Sequence, residues 1–209
     1  MPLQNRVDPF AVIHAVPQRG MFMGNRGGCF HDENKQLKQT RWKSRQWIVC
    51  VLDFKEWRRT LMSPNRYTEL FFLDEATALA AGHRPCFECR RERAHAFTTA
   101  LQRAGTIDAG TSVRTLDDAI AGEVQQRLKG KAEAPQGRAH DLPDGAMFAR
   151  NGDAWIIAGN QCALWSFEGY SMLQPLPSDP VSILTPSVTL TAFSEGYRPA
   201  MHDSLLCQL

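Results

Sequence analysis

A Cys-x-x-Cys pair directly after the end of a helix is the feature that most constrains this chain. An apolar run typical of a strand leads to Asp74, which is placed to cap an alanine-rich helix, and Gly82 suits the left-handed position after that helix. Pro85 prevents the helix from continuing, and Cys86 and Cys89 follow it. Two thiols at this spacing hold a metal, carry out redox chemistry or do neither, so the surrounding sequence has to decide among the three.

The surrounding sequence favours a metal. A redox Cys-x-x-Cys pair stands at the start of a helix in a thioredoxin-like βαβ unit, whereas a helix precedes this pair, although segment 89–105 predicts a second helix after it. Six cysteines among 209 residues are too few for a disulfide scaffold. A turn of this kind supplies two thiolates of a tetrahedral zinc site, and its backbone amides can hydrogen-bond them. We therefore predict Zn²⁺ as the cofactor, with Cys86 and Cys89 as two of its ligands.

The remaining zinc ligands must come from elsewhere in the sequence. Side chains at positions i and i+2 of an extended segment point to the same side, so Cys29 and His31 can reach one ion together. Cys50 is the alternative ligand if its strand lies beside the site, although its apolar neighbours are typical of a buried core thiol. The predicted metal ligands are Cys29, His31, Cys86 and Cys89, with Cys50 as the alternative.

Hydrophobic periodicity predicts an α+β protein. Alternating residues predict a strand over 47–54, a short strand over 22–26 is predicted to turn at Gly27-Gly28, and a third strand precedes Asp74. Apolar residues at helical spacing predict a helix over 115–130. After residue 141, short apolar runs separated by Asp-Gly, Asn-Gly and Gly-Asn pairs predict a β-rich region built from hairpins.

The segment "LFFLDEATALAAGHRPCFECRR" resembles the second half of the zinc-binding domain of the Ada DNA-repair proteins, and of related Ada-like modules in nuclease-associated proteins. In that pattern an aromatic strand and an alanine-rich helix lead to a Cys-x-x-Cys motif, and this chain matches it at Ala81, Gly82, Arg84, Pro85, Cys86 and Cys89. Upstream, "MFMGNRGGCFH" is similar to the strand-turn-strand that delivers the first ligands, with Phe30 and His31 at the aromatic-His pair. The resemblance covers residues 20–95 and implies zinc binding and a function connected with DNA.

Two positions depart from the Ada pattern. Ada proper carries a methyl-accepting cysteine as its first ligand and another cysteine four residues later, but His31 and Lys35 stand at those positions here. Imidazole cannot replace the thiolate in zinc-assisted methyl transfer, although Cys29 lies two residues away. The segment between the first ligands and Cys86 is also longer than in Ada. Residues 104–209 show no pattern of the helix-turn-helix that follows the Ada zinc domain. The resemblance therefore implies a structural metal site more strongly than a methyl acceptor.

Three regions are predicted along the chain. Residues 1–105 form the Ada-like zinc-binding module with its following helix, residues 106–140 a helix and linker, and residues 141–209 a β-rich C-terminal module. "TAFSEGYRP" at 191–199 matches "TALAAGHRP" at 77–85 in five positions, so the last module is predicted to be a degenerate repeat without the cysteines. The alternative is that a common arrangement of helix, Gly cap and Pro arose twice.

Positive charge is concentrated in the first half of the chain. Residues 1–103 contain 17 Lys/Arg and 10 Asp/Glu, whereas residues 104–209 contain 7 and 12. A basic surface binds nucleic acid because phosphate contacts release condensed counterions. The candidate phosphate contacts are Arg26, Arg41, Lys43, Arg45, Arg58, Arg59, Arg90, Arg91 and Arg93. Trp42, Trp47 and Trp57, interleaved with these cations, can stack on bases, or they are core anchors beside solvated arginines.

Two classes of function stay open on this sequence. The first is a binding protein with a structural zinc and a basic surface for DNA or RNA, related to DNA repair or processing. The second is a zinc-thiolate enzyme, an alkyl-group acceptor or hydrolase acting on DNA or a small molecule, with Cys29 as a candidate nucleophile. We expect a soluble, cytoplasmic protein without a membrane partner, because neither an apolar span of about 18 residues nor a signal peptide is evident.

Overall fold

The computed structural model describes residues 1–55 and 60–207, which form two six-stranded sheets and five α-helices. The strands are β1 (Arg6–Val7), β2 (Ile13–His14), β3 (Phe22–Arg26), β4 (Trp47–Cys50), β5 (Leu70–Phe72), β6 (Arg84–Pro85), β7 (Gln136–Gly137), β8 (Met147–Arg150), β9 (Asp153–Ala158), β10 (Gln161–Ser166), β11 (Gly169–Pro175) and β12 (Val181–Ile183). The helices are α1 (Glu75–Ala80), α2 (Arg91–Arg103), α3 (Val113–Leu128), α4 (Ser187–Ser194) and α5 (Asp203–Leu206). The predicted α+β class is confirmed.

The first sheet is built from the N-terminal strands in the order β2-β1-β5-β3-β4-β6. β3 and β4 pair antiparallel, with Met23 opposite Cys50 and Arg26 opposite Trp47. The alternation read from the sequence holds for β4, where Trp47 and Val49 point into the core. At the edge of the sheet, the two residues of β6 lie parallel to β4. This short edge strand was not predicted, yet it positions the Cys-x-x-Cys motif.

The helix α1 begins and ends as its sequence predicts. The Asp74 carboxylate accepts a hydrogen bond from the Thr77 backbone amide at 2.8 Å, which caps the N-terminus of the helix. Gly82 adopts a φ of 83°, and a Cβ at this position would lie 2.8 Å from Cγ2 of Val124. The left-handed turn at Gly82 directs the chain into β6.

The second sheet contains the C-terminal strands in the order β11-β10-β9-β8-β12-β7. The predicted turns Asn151-Gly152 and Gly159-Asn160 join its hairpins. α3 contributes to two cores, because Ile120 packs with Phe148 of the second sheet while Val124 packs against the first. α5 was not predicted, and a helix before Gly196 was implied only by the similarity of 191–199 to 77–85. Within residues 1–55 and 60–207, no helix combines the length and apolarity needed to cross a membrane.

The two segments with similar sequences have the same local structure. β5 pairs antiparallel with the first strand of the β3-β4 hairpin and leads into α1, just as β12 pairs antiparallel with the first strand of the β8-β9 hairpin and precedes α4. Both helices end at a glycine with positive φ, Gly82 and Gly196. Equivalent amides donate to equivalent carbonyls, Gly82 to Leu79 and His83 to Ala78 in the first segment, Gly196 to Phe193 and Tyr197 to Ala192 in the second. These similarities support the repeat hypothesis, which stays a prediction.

Two buried carboxylates at the start of α1 connect the N-terminal and C-terminal parts of the chain. Asp74 accepts hydrogen bonds from the Tyr170 hydroxyl at 2.7 Å and from the His202 backbone amide at 3.1 Å. Glu75 accepts one from the Ala200 backbone amide at 2.9 Å. Burial raises the pKa of Asp74, even though its hydrogen bonds oppose that shift. The beginning of α1 is therefore fixed by residues far away in sequence.

Candidate metal centre

Three cysteine sulfur atoms meet at the edge of the first sheet. The parallel pairing of Val49 with Pro85 places Cys50, the last residue of β4, beside Cys86. The sulfur atoms of Cys50, Cys86 and Cys89 lie within 4.8 Å of one another. Among histidine, cysteine and acidic residues in the part of the chain that the structure describes, this is the one cluster able to hold a metal ion.

The arrangement of the sulfur atoms suits a zinc ion. Zn–S bonds of about 2.3 Å in tetrahedral geometry separate sulfur atoms by about 3.8 Å. This separation is compatible with the sulfur atoms of the cluster, which all lie within 4.8 Å of one another. The turn presents the Glu88 backbone amide to the Cys86 sulfur at 3.4 Å. The Cys86 amide donates to the Val49 carbonyl at 3.0 Å and fixes the turn against β4. These residues can therefore hold a metal through three thiolates.

The three thiols lose their protons unequally. Hydrogen bonds from the Cys50 and Cys89 thiols lower the pKa of Cys86 far below its usual range, and backbone amides of the turn add to the effect. The pKa of Cys50 is raised, because its thiol donates to Cys86 and Cys89 and burial disfavours its thiolate. For Cys89, the hydrogen bond with Cys50 lowers the pKa, but the hydrogen bond with Cys86 and burial outweigh it, and the net shift is upward. One thiolate forms readily, and a bound cation would stabilise the other two.

A cavity of about 380 Å³ opens over the three sulfur atoms. Its volume lies in the range of small-molecule sites. The apolar residues that line it are Met23, Ile48, Val51, Leu52, Phe54, Leu61 and Phe71. The polar residues that line it are Asn25, Asp53, Tyr67, Glu69 and Glu88, together with the three cysteines. Because the three thiols line a cavity, this site differs from a thiol cluster enclosed in the core.

Glu69 is the most deeply buried acidic residue of the cavity, with 1% of its surface exposed. Its Oε2 accepts a hydrogen bond from the Met62 backbone amide at 2.8 Å, which connects the loop to the residue directly before β5. Sequence reasoning missed this residue. The sequence does contain an indication of its position. Glu69 and Phe71 are two residues apart, so in an extended segment both side chains lie on the same face.

Cys29 and His31, the predicted first ligand pair, lie apart from the three-cysteine cluster. β3 runs antiparallel to β4, so that Met23 faces Cys50 and the chain leaves the sheet beyond Trp47, at the opposite end of β4. Cys29 and His31 follow at that end and do not belong to the cluster. Of the residues considered as ligands, the structure therefore brings together the Cys-x-x-Cys pair and the alternative, Cys50.

His31 is engaged by hydrogen bonds of its own. Thr68 Oγ1 accepts from the Phe30 backbone amide at 2.9 Å, so its hydroxyl can donate to His31 Nδ1 at 2.7 Å. The other ring nitrogen lies 3.2 Å from the Ser63 carbonyl, to which it can donate. Cys29 Sγ lies 3.7 Å from His31 Nδ1 and 3.8 Å from Nε2. The ring thus joins the loop before β5 to the segment after β3.

Comparison with protein-family models, with curated proteins and with solved structures finds no match to this chain. The resemblance to Ada zinc domains therefore rests on the motifs around Cys86 and Cys89 and stays a prediction.

Two of the predicted nucleic-acid contacts are buried. Arg26 donates from Nη2 to the Ala11 carbonyl at 3.0 Å, and its guanidinium lies 4.1 Å from the centre of the Trp47 ring. Arg90 forms an ion pair with Glu75 at 2.9 Å, with both side chains in the interior. Neither arginine can reach a phosphate without leaving the core.

The other described candidates lie at or near the surface. Lys43, Arg45 and Arg91 are exposed, while Arg41 and Arg93 are half-buried. Arg45 Nη1 lies 3.0 Å from Asp118 Oδ1, so its charge is partly compensated. Arg58 and Arg59 lie outside the described residues, as does Trp57.

The two described tryptophans of the basic region pack against the protein. Trp47 is 1% exposed, and its indole N–H donates to the Ser44 carbonyl at 2.9 Å. The Trp42 ring lies 5.8 Å from the Trp47 ring, with the Lys129 amino group 5.5 Å from its centre. These contacts agree with the alternative that the two rings are core anchors.

Proposed function

We propose that this protein binds Zn²⁺ through Cys50, Cys86 and Cys89 and uses the fourth coordination position for a ligand that enters the cavity. The observation that carries the proposal is the convergence of three thiols on a cavity of about 380 Å³. A structural zinc site has four protein ligands, whereas a catalytic site has three and keeps one position open. The arrangement favours a zinc-thiolate enzyme over a protein with a purely structural zinc site.

Residues that line the cavity can supply the other functions that such an enzyme needs, namely exclusion of water and proton transfer. When bound, zinc supplies a Lewis acid at the open position. Ile48 and Phe71 provide an apolar wall that excludes water from a bound ligand. Glu69, held by the Met62 amide, is the carboxylate placed to accept or return a proton inside the cavity. The cavity volume favours a small-molecule substrate over a nucleic-acid backbone.

The ligand set is tested by metal content per chain. We expect about one zinc ion in the wild-type protein, loss of zinc in Cys50→Ser, and full retention in Cys29→Ser. Cys29 is a matched control because it is also a partly exposed thiol and lies outside the cluster. Retention of zinc in Cys50→Ser together with its loss in Cys29→Ser would refute the proposed ligands and restore the sequence-based set.

The open position is tested by cobalt substitution. Co²⁺ bound by three thiolates gives strong sulfur-to-metal charge-transfer absorption, and its visible bands shift when an added ligand such as imidazole coordinates. We expect this shift in the wild type and its suppression in Ile48→Trp, which fills the cavity but leaves the three thiols in place. A spectrum that imidazole never changes, combined with normal metal content, would indicate a closed structural site.

Nucleic-acid binding is the second candidate function, supported by the exposed cations of the N-terminal half. Lys43 and Arg91 have no carboxylate within 4.0 Å among residues 1–55 and 60–207. Binding through them should weaken steeply with salt. Electrophoretic shifts of DNA and RNA at low salt, compared between wild type and Lys43→Gln/Arg91→Gln, test this candidate, and the absence of any shift in wild type would exclude it.

A further inference from the structure

A second cleft, away from the cysteines, is lined by three arginines. It has a volume of about 400 Å³ and lies between α2 and the segment that follows α4. Arg93 and Arg103 of α2 line it together with Arg198 of the segment that follows α4. Thr99 and Gly196 complete its polar surface, and no carboxylate is among its described lining residues. Such a surface attracts an anion.

The three guanidinium groups are held in place by contacts that leave further N–H donors. Arg93 lies 4.3 Å from the centre of the Tyr197 ring and donates from Nη2 to the Arg198 carbonyl and, at 3.2 Å, to Glu75. Arg103 donates from Nη2 to the Glu195 carbonyl. Each guanidinium carries five N–H donors, so these contacts fix the groups without exhausting them.

Arg198 donates only one hydrogen bond within the described protein, from Nη1 to the Phe193 carbonyl at 2.9 Å. The carboxylate of Glu195 lies 3.9 Å from Arg103 Nε, a long and solvent-exposed contact that compensates little charge. The cleft therefore keeps a net positive charge, although Arg93 is paired with buried Glu75.

The equivalent arginine in the first repeated segment shows what this position can bind. Arg84 occupies the place in "GHRP" that Arg198 occupies in "GYRP". Arg84 is buried and forms a bidentate pair with Asp117, with Nε to Oδ1 at 2.6 Å and Nη2 to Oδ2 at 3.1 Å. Arg198 is exposed, and no carboxylate of the described residues lies within 4.0 Å of it. The guanidinium of Arg84 is therefore paired with a carboxylate of the protein, whereas the guanidinium of Arg198 lines the cleft without such a carboxylate.

We propose that the cleft formed by Arg93, Arg103 and Arg198 binds a phosphate dianion, either free or as the terminal group of a small phosphate ester. Arginine forks match phosphate oxygens in pairs, and a dianion compensates several guanidinium groups at once. The volume of about 400 Å³ accommodates an ester of the size of a sugar phosphate. Thr99 adds a hydroxyl that can donate to a remaining oxygen.

The test measures binding of inorganic phosphate and of ribose 5-phosphate to the full-length chain by calorimetry. We expect Arg198→Gln and Arg103→Gln each to weaken binding about tenfold or more, because each removes charge-assisted hydrogen bonds. Arg91→Gln is the matched control, since Arg91 is an exposed arginine of α2 that does not line the cleft. Both cleft residues are exposed, and melting curves establish that the variants are folded.

The pattern of binding identifies the source of the phosphate. Tighter binding of ribose 5-phosphate indicates an ester, whereas tighter binding of inorganic phosphate indicates the free ion. Equal weakening in Arg198→Gln and Arg91→Gln, or no measurable binding of either probe, overturns the proposal. An oligonucleotide without terminal phosphates that binds more tightly than both probes, with the same dependence on Arg198, overturns it in favour of nucleic acid.

The cleft is independent of the proposed zinc site. We expect phosphate binding to persist in Cys50→Ser, in which zinc is lost. Failure of the zinc proposal and failure of the phosphate proposal therefore give different results.

Discussion

Val49 and Pro85 are paired across adjacent parallel strands, and this pairing brings Cys50 to the Cys-x-x-Cys motif. The register depends on the turn at Gly82, because the chain must leave α1 and enter the sheet edge within three residues. The Cys86 amide then donates to the Val49 carbonyl and closes the turn on β4. The three-cysteine cluster is thus a product of sheet topology as much as of the cysteine motif.

Zinc should stabilise the wild-type fold, and Cys50→Ser should remove most of that effect. With free zinc buffered at about 1,000 times its dissociation constant, a folded-state site adds about 4 kcal/mol to the free energy of unfolding. Chemical unfolding under reducing conditions, with zinc or with a chelator, measures the difference. Cys29→Ser should keep the full zinc-dependent gain, and an equal gain in Cys50→Ser would contradict the assignment of Cys50 as a ligand.

The local features around the motif could be predicted from the sequence. The alternation in β4, the Asp74 cap of α1 and the left-handed Gly82 all depend on neighbouring residues. Which cysteine lies beside Cys86 and Cys89 could not be predicted from neighbouring residues. It depends on β6, a two-residue edge strand with a proline, which carries no periodic signal of its own.

Other differences have the same physical origin in long-range packing. Arg26 was placed on a nucleic-acid surface because an arginine is usually exposed, but it lies over Trp47 in the core. α4 contains several β-branched residues, which favour strands locally, yet Ala192 and Phe193 pack into the main core as parts of a helix. In both cases tertiary contacts outweigh the local preference.

Glu75→Gln should be among the most destabilising single substitutions in this protein. The Glu75 carboxylate is fully buried and pairs with buried Arg90 at 2.9 Å and with Arg93 at 3.2 Å. Removing its charge leaves Arg90 uncompensated in the interior, which costs about 3–5 kcal/mol in comparable cases. Urea unfolding measures the loss.

Glu195→Gln is the matched control for the Glu75 prediction. Glu195 makes only the long, partly exposed pair with Arg103, so its charge should contribute less than about 1 kcal/mol. Similar losses in the two variants would contradict the role assigned to the buried Glu75 carboxylate.

Gly82→Ala should cost more stability than Gly105→Ala, although both glycines follow a helix and have positive φ. At Gly105 a Cβ meets no atom within 4 Å, so only the left-handed backbone penalty of about 1–2 kcal/mol applies. At Gly82 the same penalty is joined by a contact of 2.8 Å with Val124 Cγ2, and relief of that contact must shift α3 or the start of β6. Thermal and urea unfolding of the two variants compare these costs, and equal losses would show that the packing against Val124 relaxes freely.

Gly82→Ala should also affect the metal site, because β6 follows this turn directly. We expect weaker zinc binding in Gly82→Ala and unchanged zinc binding in Gly105→Ala, measured by competition with a chromophoric chelator. Unchanged affinity in both would show that the position of Cys86 does not depend on the geometry at Gly82.

The neutral form of His83 should make the stability of the fold depend on pH. His83 is fully buried, its Nδ1 can donate to the Ala78 carbonyl at 3.2 Å, and its Nε2 can accept from Arg26 Nε at 3.4 Å. Burial, and then the charge of Arg26, lower the pKa of His83 well below its usual value. The rings of Trp47 and Phe72 enclose the imidazole and carry no charge.

The sign of this pH dependence follows from the proton balance of His83. In the unfolded chain His83 titrates near pH 6.5, so below that pH the unfolded state binds a proton that the folded state excludes. The stability associated with neutral His83 is therefore present above about pH 6.5 and is lost as the pH falls, by up to about 1.4 kcal/mol per pH unit. The free energy of unfolding measured between pH 7.5 and 5 should fall less steeply in His83→Gln, whose amide can replace both hydrogen bonds without titrating. His95→Gln, at an exposed position of α2, should retain the wild-type slope, and a slope in His83→Gln equal to that of the wild type would show that His83 takes up its proton within the folded core.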